Sequence, residues 1–344
     1  MRVLLTGLSH FWGGRLAQTL EARDDVEVIV GLDTREPRVP LERTEFVRSD
    51  SSYSILARIV AAADIDTIIH SHLVVDSTQT SGRELHEINV IGTMNLLAAA
   101  SAAGSPVRRV VVKSSALVYG STFRDPAFFA EDSRRTSGAR TNVERSLLEV
   151  EAFVRDFAED APHVSVSMLR FSNVLGDAIE TPFARALQLP VVPVVAGFDP
   201  RLQFVHEIDV NRALVFATTR DVPGTFNVAG DGALPWSEVC AIVGKRRLPM
   251  PPILTTAVTT PMRLIGLLDY PSEVLALLRY GRVLDNRRFQ RVGFEYQFTT
   301  PGTVEAFAEG LRLKSAIGER NPTYEYQSDV EQFFRQSPAI VRDV

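Results

Sequence analysis

The sequence predicts an α/β protein, a doubly wound parallel sheet with a smaller C-terminal lobe on the substrate side. Apolar, β-branched runs of strand length recur at residues 2–6, 27–32, 67–70, 107–113 and 164–170. Helix-length segments lie between them, at 15–22, 55–63, 84–103 and 142–157. The first run also ends in a glycine turn that opens straight into a helix, TGLSHFWGGRLAQTL from Thr6 to Leu20. Strands alternating with helices imply parallel βαβ units, because a parallel pair needs a crossover long enough to cover the sheet face.

The opening run MRVLLTG carries one basic residue and stops at Gly7, too short for a signal-peptide core. No segment reaches about 18 uninterrupted apolar residues, so a cytoplasmic protein with no membrane partner is expected. In the loop that follows, Gly7 is suited to the tight turn and Gly13 to close packing of helix on sheet. His10 stands where a middle glycine would let backbone approach a phosphate; its imidazole would either push a ligand outward or donate a hydrogen bond to it. Phe11 and Trp12 complete the loop as candidate cofactor contacts. The second strand ends in VGLD, placing Asp33 where a carboxylate can take both hydroxyls of an adenosine ribose. It would repel a 2′-phosphate and so favours NAD over NADP, although Arg35 keeps NADP open. The structural alternative is a simple turn plus a solvated acid at a strand end.

Further along, DTIIHSHLV brings His70 and His72 to the end of the fourth strand, and alternation would set both on one face. With no cysteine and no acid at ligand spacing, no metal is expected there. The lone Cys240 excludes an intrachain disulfide and reads as a small core residue. The net charge of -5, without an arginine cluster interleaved with aromatics, argues against nucleic acid. A composition of 45% hydrophobic and 23% charged residues over 344 positions excludes disorder on a large scale.

The expected organisation is a dinucleotide-binding domain over residues 1–172, its sheet completed by 203–230, where GTFNVAG reads as a strand. A substrate-side lobe takes 173–202 and 231–330, and 331–344 form a polar C-terminal arm. The proline-punctuated LPVVPVVAGFDP marks entry into the lobe.

Read together, these stretches resemble the extended short-chain dehydrogenase/reductase superfamily, in its NAD-dependent epimerase/dehydratase branch, with a Rossmann-like fold. The resemblance covers residues 1–230 and rests on TGLSHFWGG, Leu32-Asp33, VRSD ending at Asp50, DTIIHSHLV, INVIGTMNLL, VVVKSSALVYG, LRFSNVLG and QFVHEIDV. It implies NAD as cofactor, held by Gly7, His10, Phe11, Trp12, Gly13, Asp33, Asp50, His70, Asn89 and Ser114. It implies that Asp50 meets the adenine, that Ser115 bonds the reacting hydroxyl or carbonyl, and that Asn173 and Arg201 contact the substrate, in the family often a nucleotide sugar. Each has a plain alternative: Asp50 as a helix N-cap, Ser115 as a strand-end hydroxyl, Asn173 as a turn former. A homodimer through the helices at 84–103 and 142–157 is also implied, although a helix packed on its own sheet shows the same apolar spacing.

One part of the family pattern is missing. Its chemistry uses a tyrosine and a lysine four residues later on one helix face, the ammonium pulling the phenol pKa down. That pair should lie in TSGARTNVERSLLEVEAF, 136–153. If Glu151 is the family's following glutamate, the pair falls on Val143 and Leu147; if Glu149, on Thr141 and Arg145. No tyrosine occurs between Tyr119 and Tyr270, and no lysine between Lys113 and Lys245. Proton transfer would need a substitute, and the candidates are Tyr119, if its ring turns inward, and His72. His206 reads as structural.

Three functions therefore stand side by side. The first is an NAD-dependent epimerase, dehydratase or oxidoreductase on a nucleotide-activated sugar or related alcohol. The second is an NAD-binding module without chemistry. The third is a reductase of a hydrophobic substrate, suggested by the apolar stretch 254–278, whose alternative is a packed lobe helix.

Overall fold

The computed structural model describes residues 1–78, 80–126, 128–251 and 271–317. The apolar stretch up to residue 270 and the C-terminal arm lie outside the described residues. By internal contacts the chain divides into a unit Met1–Ala308 and a second, Glu309–Val344, described only to residue 317 as the end of the helix Thr300–Ile317.

Seven parallel strands form the central sheet: β1 Arg2–Thr6, β2 Val28–Asp33, β3 Thr44–Arg48, β4 Thr67–His70, β5 Arg109–Ser115, β6 Ser165–Phe171 and β7 Gly224–Val228. Their spatial order is β7-β6-β5-β4-β1-β2-β3. The chain runs outward from β1 through β2 and β3, then crosses back to β4 on the other side, and this reversal opens a crevice at the carboxyl ends of β1 and β4. The helices are α1 Phe11–Glu21, α2 Tyr53–Ala62, α3 Gly82–His86, α4 Gly92–Ala100, α5 Asn142–Asp160 and α6 Glu207–Thr219.

Alternation along the strands divides the apolar core in two. Leu4, Val30, Ile68 and Val112 face α2, α4 and α5, whereas Val3, Leu5, Ile29 and Val111 face α1 and α6. All eight side chains are buried, as expected for parallel strands covered on both faces.

Several expected boundaries shift. The helix expected over 84–103 is three pieces, α3, a π-helical turn Glu87–Ile91 and α4, and it stops at Ala100. β3 was visible only through the VRSD motif, because TEFVR is half polar and lies at the sheet edge. Of residues 203–230, β7 does complete the sheet, but Phe204–His206 pairs in parallel with Asn173–Leu175 in a separate two-stranded ribbon.

Candidate functional site

The site grows from the turn after β1. Gly7 adopts φ +79°, and a Cβ there would come within 2.7 Å of the Cβ of His72. A Cβ on Gly13 would lie 2.0 Å from the Gly7 carbonyl oxygen. Both positions thus require glycine, one for its backbone angle and both for space. His10 is the N-cap of α1, but no side chain caps the helix and no acidic residue sits in its first turn. Its first N–H groups therefore remain donors for an anion, with the helix dipole adding to the attraction.

Asp33 closes the adjacent strand and is 4% exposed. Its Oδ1 accepts from the amides of Thr34 at 2.7 Å and Arg35 at 3.3 Å, and its Oδ2 from the Ser9 amide at 2.9 Å. The Nδ1 of His10 lies 3.3 Å from Oδ2. Burial alone would raise the Asp33 pKa, but the hydrogen bonds from His10 and Ser9 hold it well below the ordinary carboxylate range, so the group is ionised. The rings of His10 and His72 face each other with centroids 4.2 Å apart. Burial, with the nearby His10 adding to it, lowers the His72 pKa to about 4, leaving this half-buried imidazole neutral at pH 7.

Phe11 and Trp12 meet edge to face at 4.8 Å, and the Arg15 guanidinium covers the Phe11 ring at 5.0 Å. Asp50 is exposed two residues beyond β3, beside Ser49, whose amide donates to the Asp33 carbonyl at 2.9 Å. Ser115, half-buried at the tip of β5, accepts from the Leu117 amide at 3.3 Å.

Four expected site residues are taken into the protein interior instead. His70 is pinned between Thr6 Oγ1 and Thr93 Oγ1, each at 2.9 Å. Because Thr93 donates to the Asn89 carbonyl at 2.5 Å, it must accept from Nε2–H of His70, which fixes the tautomer. Burial, with the nearby His72 adding to it, drives the His70 pKa down to about 3, so it is a neutral clamp between β1 and α4. Asn89, fully buried, bonds the amide and carbonyl of Val74 at 2.8 and 2.9 Å and Ser146 Oγ at 3.0 Å. Ser114 donates to Glu151 Oε1 at 2.6 Å. The Tyr119 ring does turn inward, but its hydroxyl donates to Asn227 Oδ1 at 2.7 Å and accepts from Arg170 at 2.7 Å. Burial also raises its pKa.

In the substrate half, Asn173 donates to the Gln203 carbonyl at 2.9 Å, tying its ribbon together, and Arg201 is exposed on a short strand that pairs with Leu234–Pro235. His206 caps α6, accepting from the Ile208 amide at 3.2 Å, and stacks on Phe298 at 4.0 Å, a structural role.

The register of α5 follows from Glu151. This side chain is 2% exposed and faces the sheet, bonding Arg170 at 2.6 to 3.1 Å, whereas the Glu149 side chain is 41% exposed. The two positions one and two turns before Glu151 are Leu147 and Val143, both fully buried and apolar. Sequence reasoning passed over Lys113, which is 6% exposed on β5 with its ammonium 5.6 Å from the Trp12 ring centre and 5.9 Å from that of Phe171. The available signal was a lysine inside the apolar run VVVKSS, two residues before Ser115 and so on its face.

A parallel sheet with a glycine crook, an uncapped helix N-terminus and a carboxylate at the neighbouring strand tip defines a dinucleotide-binding protein. Residues 3–229 match the NAD dependent epimerase/dehydratase family, and the chain belongs to it; NAD is that family's cofactor. An uncharacterized protein of Mycobacterium tuberculosis is 34% identical over 316 residues, covering 90% of this chain and 83% of its own. The UDP-glucose 4-epimerase of Pasteurella multocida is 30% identical over 190 residues, 51% of this chain and 54% of its own. Among solved structures, the UDP-glucose 4-epimerase of Thermotoga maritima with UDP-glucose aligns with a TM-score of 0.69 at 16% identity, over 92% of this chain and 100% of its own. MoeE5 with UDP-glucuronic acid and NAD aligns at 0.65 with 24% identity, over 91% and 100%.

The residues present fit the cofactor. The crook leaves no room for a Cβ, Asp33 is ionised, and Lys113 supplies a cation without an anionic partner among the described residues. The His10 ring lies against Asp33 Oδ2 and must give way for a ribose to reach that oxygen.

Proposed function

We propose that the chain binds NAD in this crevice and acts on a nucleotide-activated sugar or related alcohol by transient hydride transfer, without a helix tyrosine in the proton path. The observation that carries the reading is that the crook, Asp33 and Ser115 all lie at the carboxyl edge of one sheet, at the ends of β1, β2 and β5, with β4 between β1 and β5. When bound, the cofactor supplies a reversible hydride acceptor. Asp33 would fix the adenosine ribose, and the N–H groups of α1 would hold the diphosphate. Ser115 Oγ would bond the reacting oxygen and orient it. His72, neutral at pH 7, is the candidate to take the hydroxyl proton. We read Asp50 as the adenine contact and Asn173 and Arg201 as the approach to the substrate diphosphate.

A second reading has one observation in its favour. Val143 and Leu147 close the α5 face with apolar side chains, as suits a module that binds NAD and does no chemistry. Turnover of a panel of UDP- and dTDP-sugars with NAD present decides between them. Slow turnover that dies with His72→Ala supports the enzyme; an NAD-induced rise in Tm with no turnover supports the module. We also propose a homodimer through α4 and α5, to be checked by sedimentation. Among the described residues no helix is long and apolar enough to cross a membrane.

A further inference from the structure

Lys113 is buried where, among the described residues, no anion and no hydrogen-bond acceptor meets its charge. Two aromatic ring faces are its partners, and among the described residues no carboxylate pairs with it and no oxygen accepts from Nζ. Desolvating an ammonium in this way costs stability, and a methionine would fill the same space without that cost. The position of Lys113 supplies a reason. Asp33 ends β2 and the glycine crook ends β1, while β4 and β5 follow on the other side of β1, each step about 4.8 Å. A dinucleotide laid from Asp33 across the crook therefore reaches β5 with its nicotinamide-side nucleoside. Trp12, whose ring the ammonium faces, belongs to the first turn of the uncapped helix α1. No lysine lies on α5 to serve this end of the site, since the next after Lys113 is Lys245.

We infer that Lys113 is the cation of the nicotinamide end of the site, its Nζ donating a hydrogen bond to an oxygen of the nicotinamide-side nucleoside. The inference rests on the NAD reading above. It makes Lys113 a residue retained for ligand binding at the expense of the unliganded fold.

The test is calorimetric binding of NAD and of ADP, which ends before that nucleoside, to wild type and Lys113→Met in the full chain. Lys113→Met is expected to loosen NAD about tenfold, as for one charge-assisted hydrogen bond, and to leave ADP within about twofold. Its ligand-free Tm should rise, whereas a merely structural lysine would lower it on removal. Lys113→Gln, which keeps a donor but no charge, should fall between the two in NAD affinity. An unchanged NAD affinity in the Met variant, or an equal loss for ADP, overturns the inference and leaves the cofactor reading standing. A wild-type chain that binds neither ligand overturns the cofactor reading, and the inference with it.

Discussion

The imidazole of His10 lies over the carboxylate of Asp33, Nδ1 to Oδ2 at 3.3 Å, so the residue that breaks the glycine pattern covers the group expected to grip a ribose. Of the four contacts on that carboxylate the other three are backbone amides, those of Ser9, Thr34 and Arg35. The His10 side chain is 53% exposed and free to swing toward solvent. His10→Gly should therefore tighten NAD by about three- to tenfold, the worth of a weak hydrogen bond that no longer competes. A weaker NAD complex in this variant, read by calorimetry, would mean instead that the imidazole touches the ligand.

Asp33→Asn keeps the shape of the strand tip and removes its charge. Two charge-assisted bonds to ribose hydroxyls are at stake, so NAD affinity should drop by about a hundredfold. Because the carboxylate would repel a 2′-phosphate, the same variant should narrow any preference of NAD over NADP. Equal loss for both nucleotides would show that Asp33 acts only through the loop it bonds.

Much of the fold was legible because it is written in strand-length apolar runs and in backbone demands at Gly7 and Gly13 that only glycine meets. The site was less legible, for a physical reason. His70, Asn89, Ser114 and Tyr119 carry the residue types a cofactor site needs, yet their polar atoms are consumed by Thr6, Val74, Glu151 and Arg170, partners distant in sequence. A polar residue's role depends on which groups the fold brings to it, and periodicity says nothing of that. Lys113 shows the converse: a charge inside the apolar run VVVKSS was the one hint in the sequence, and the fold shows its ammonium set against the rings of Trp12 and Phe171.

The network around Arg170 provides a stability test that separates structure from catalysis. Burial would lower the guanidinium pKa, but the carboxylate of Glu151 raises it, and the ion is locked in place with Tyr119 and the Glu131 carbonyl. Glu151→Ala strands a buried charge and should cost about 3–5 kcal/mol, visible as a large fall in Tm. Tyr119→Phe removes one hydroxyl from the same network and should cost about 1–2 kcal/mol while leaving any turnover intact. Abolished turnover in a folded Tyr119→Phe protein would return the phenol to the proton path.

The pH dependence of stability isolates Lys113. Burial lowers its pKa from 10.5 to about 8 in the folded protein. Between those values the unfolded chain binds a proton that the native one does not, so this residue makes stability rise with pH across the window. Its penalty is complete below about pH 8 and fades toward pH 10, with an upper bound near 3 kcal/mol from the size of the shift. The titratable group that responds to Lys113 is His72, whose pKa of about 4 keeps it neutral across this window. The Tm advantage of Lys113→Met over wild type should be largest at pH 7 and shrink steadily toward pH 10. NAD binding should show the opposite face of the same charge: affinity of the wild type weakens as the ammonium deprotonates above about pH 8, and that of the Met variant does not. A wild-type affinity that stays level from pH 7 to 10 would remove the ammonium from the cofactor site.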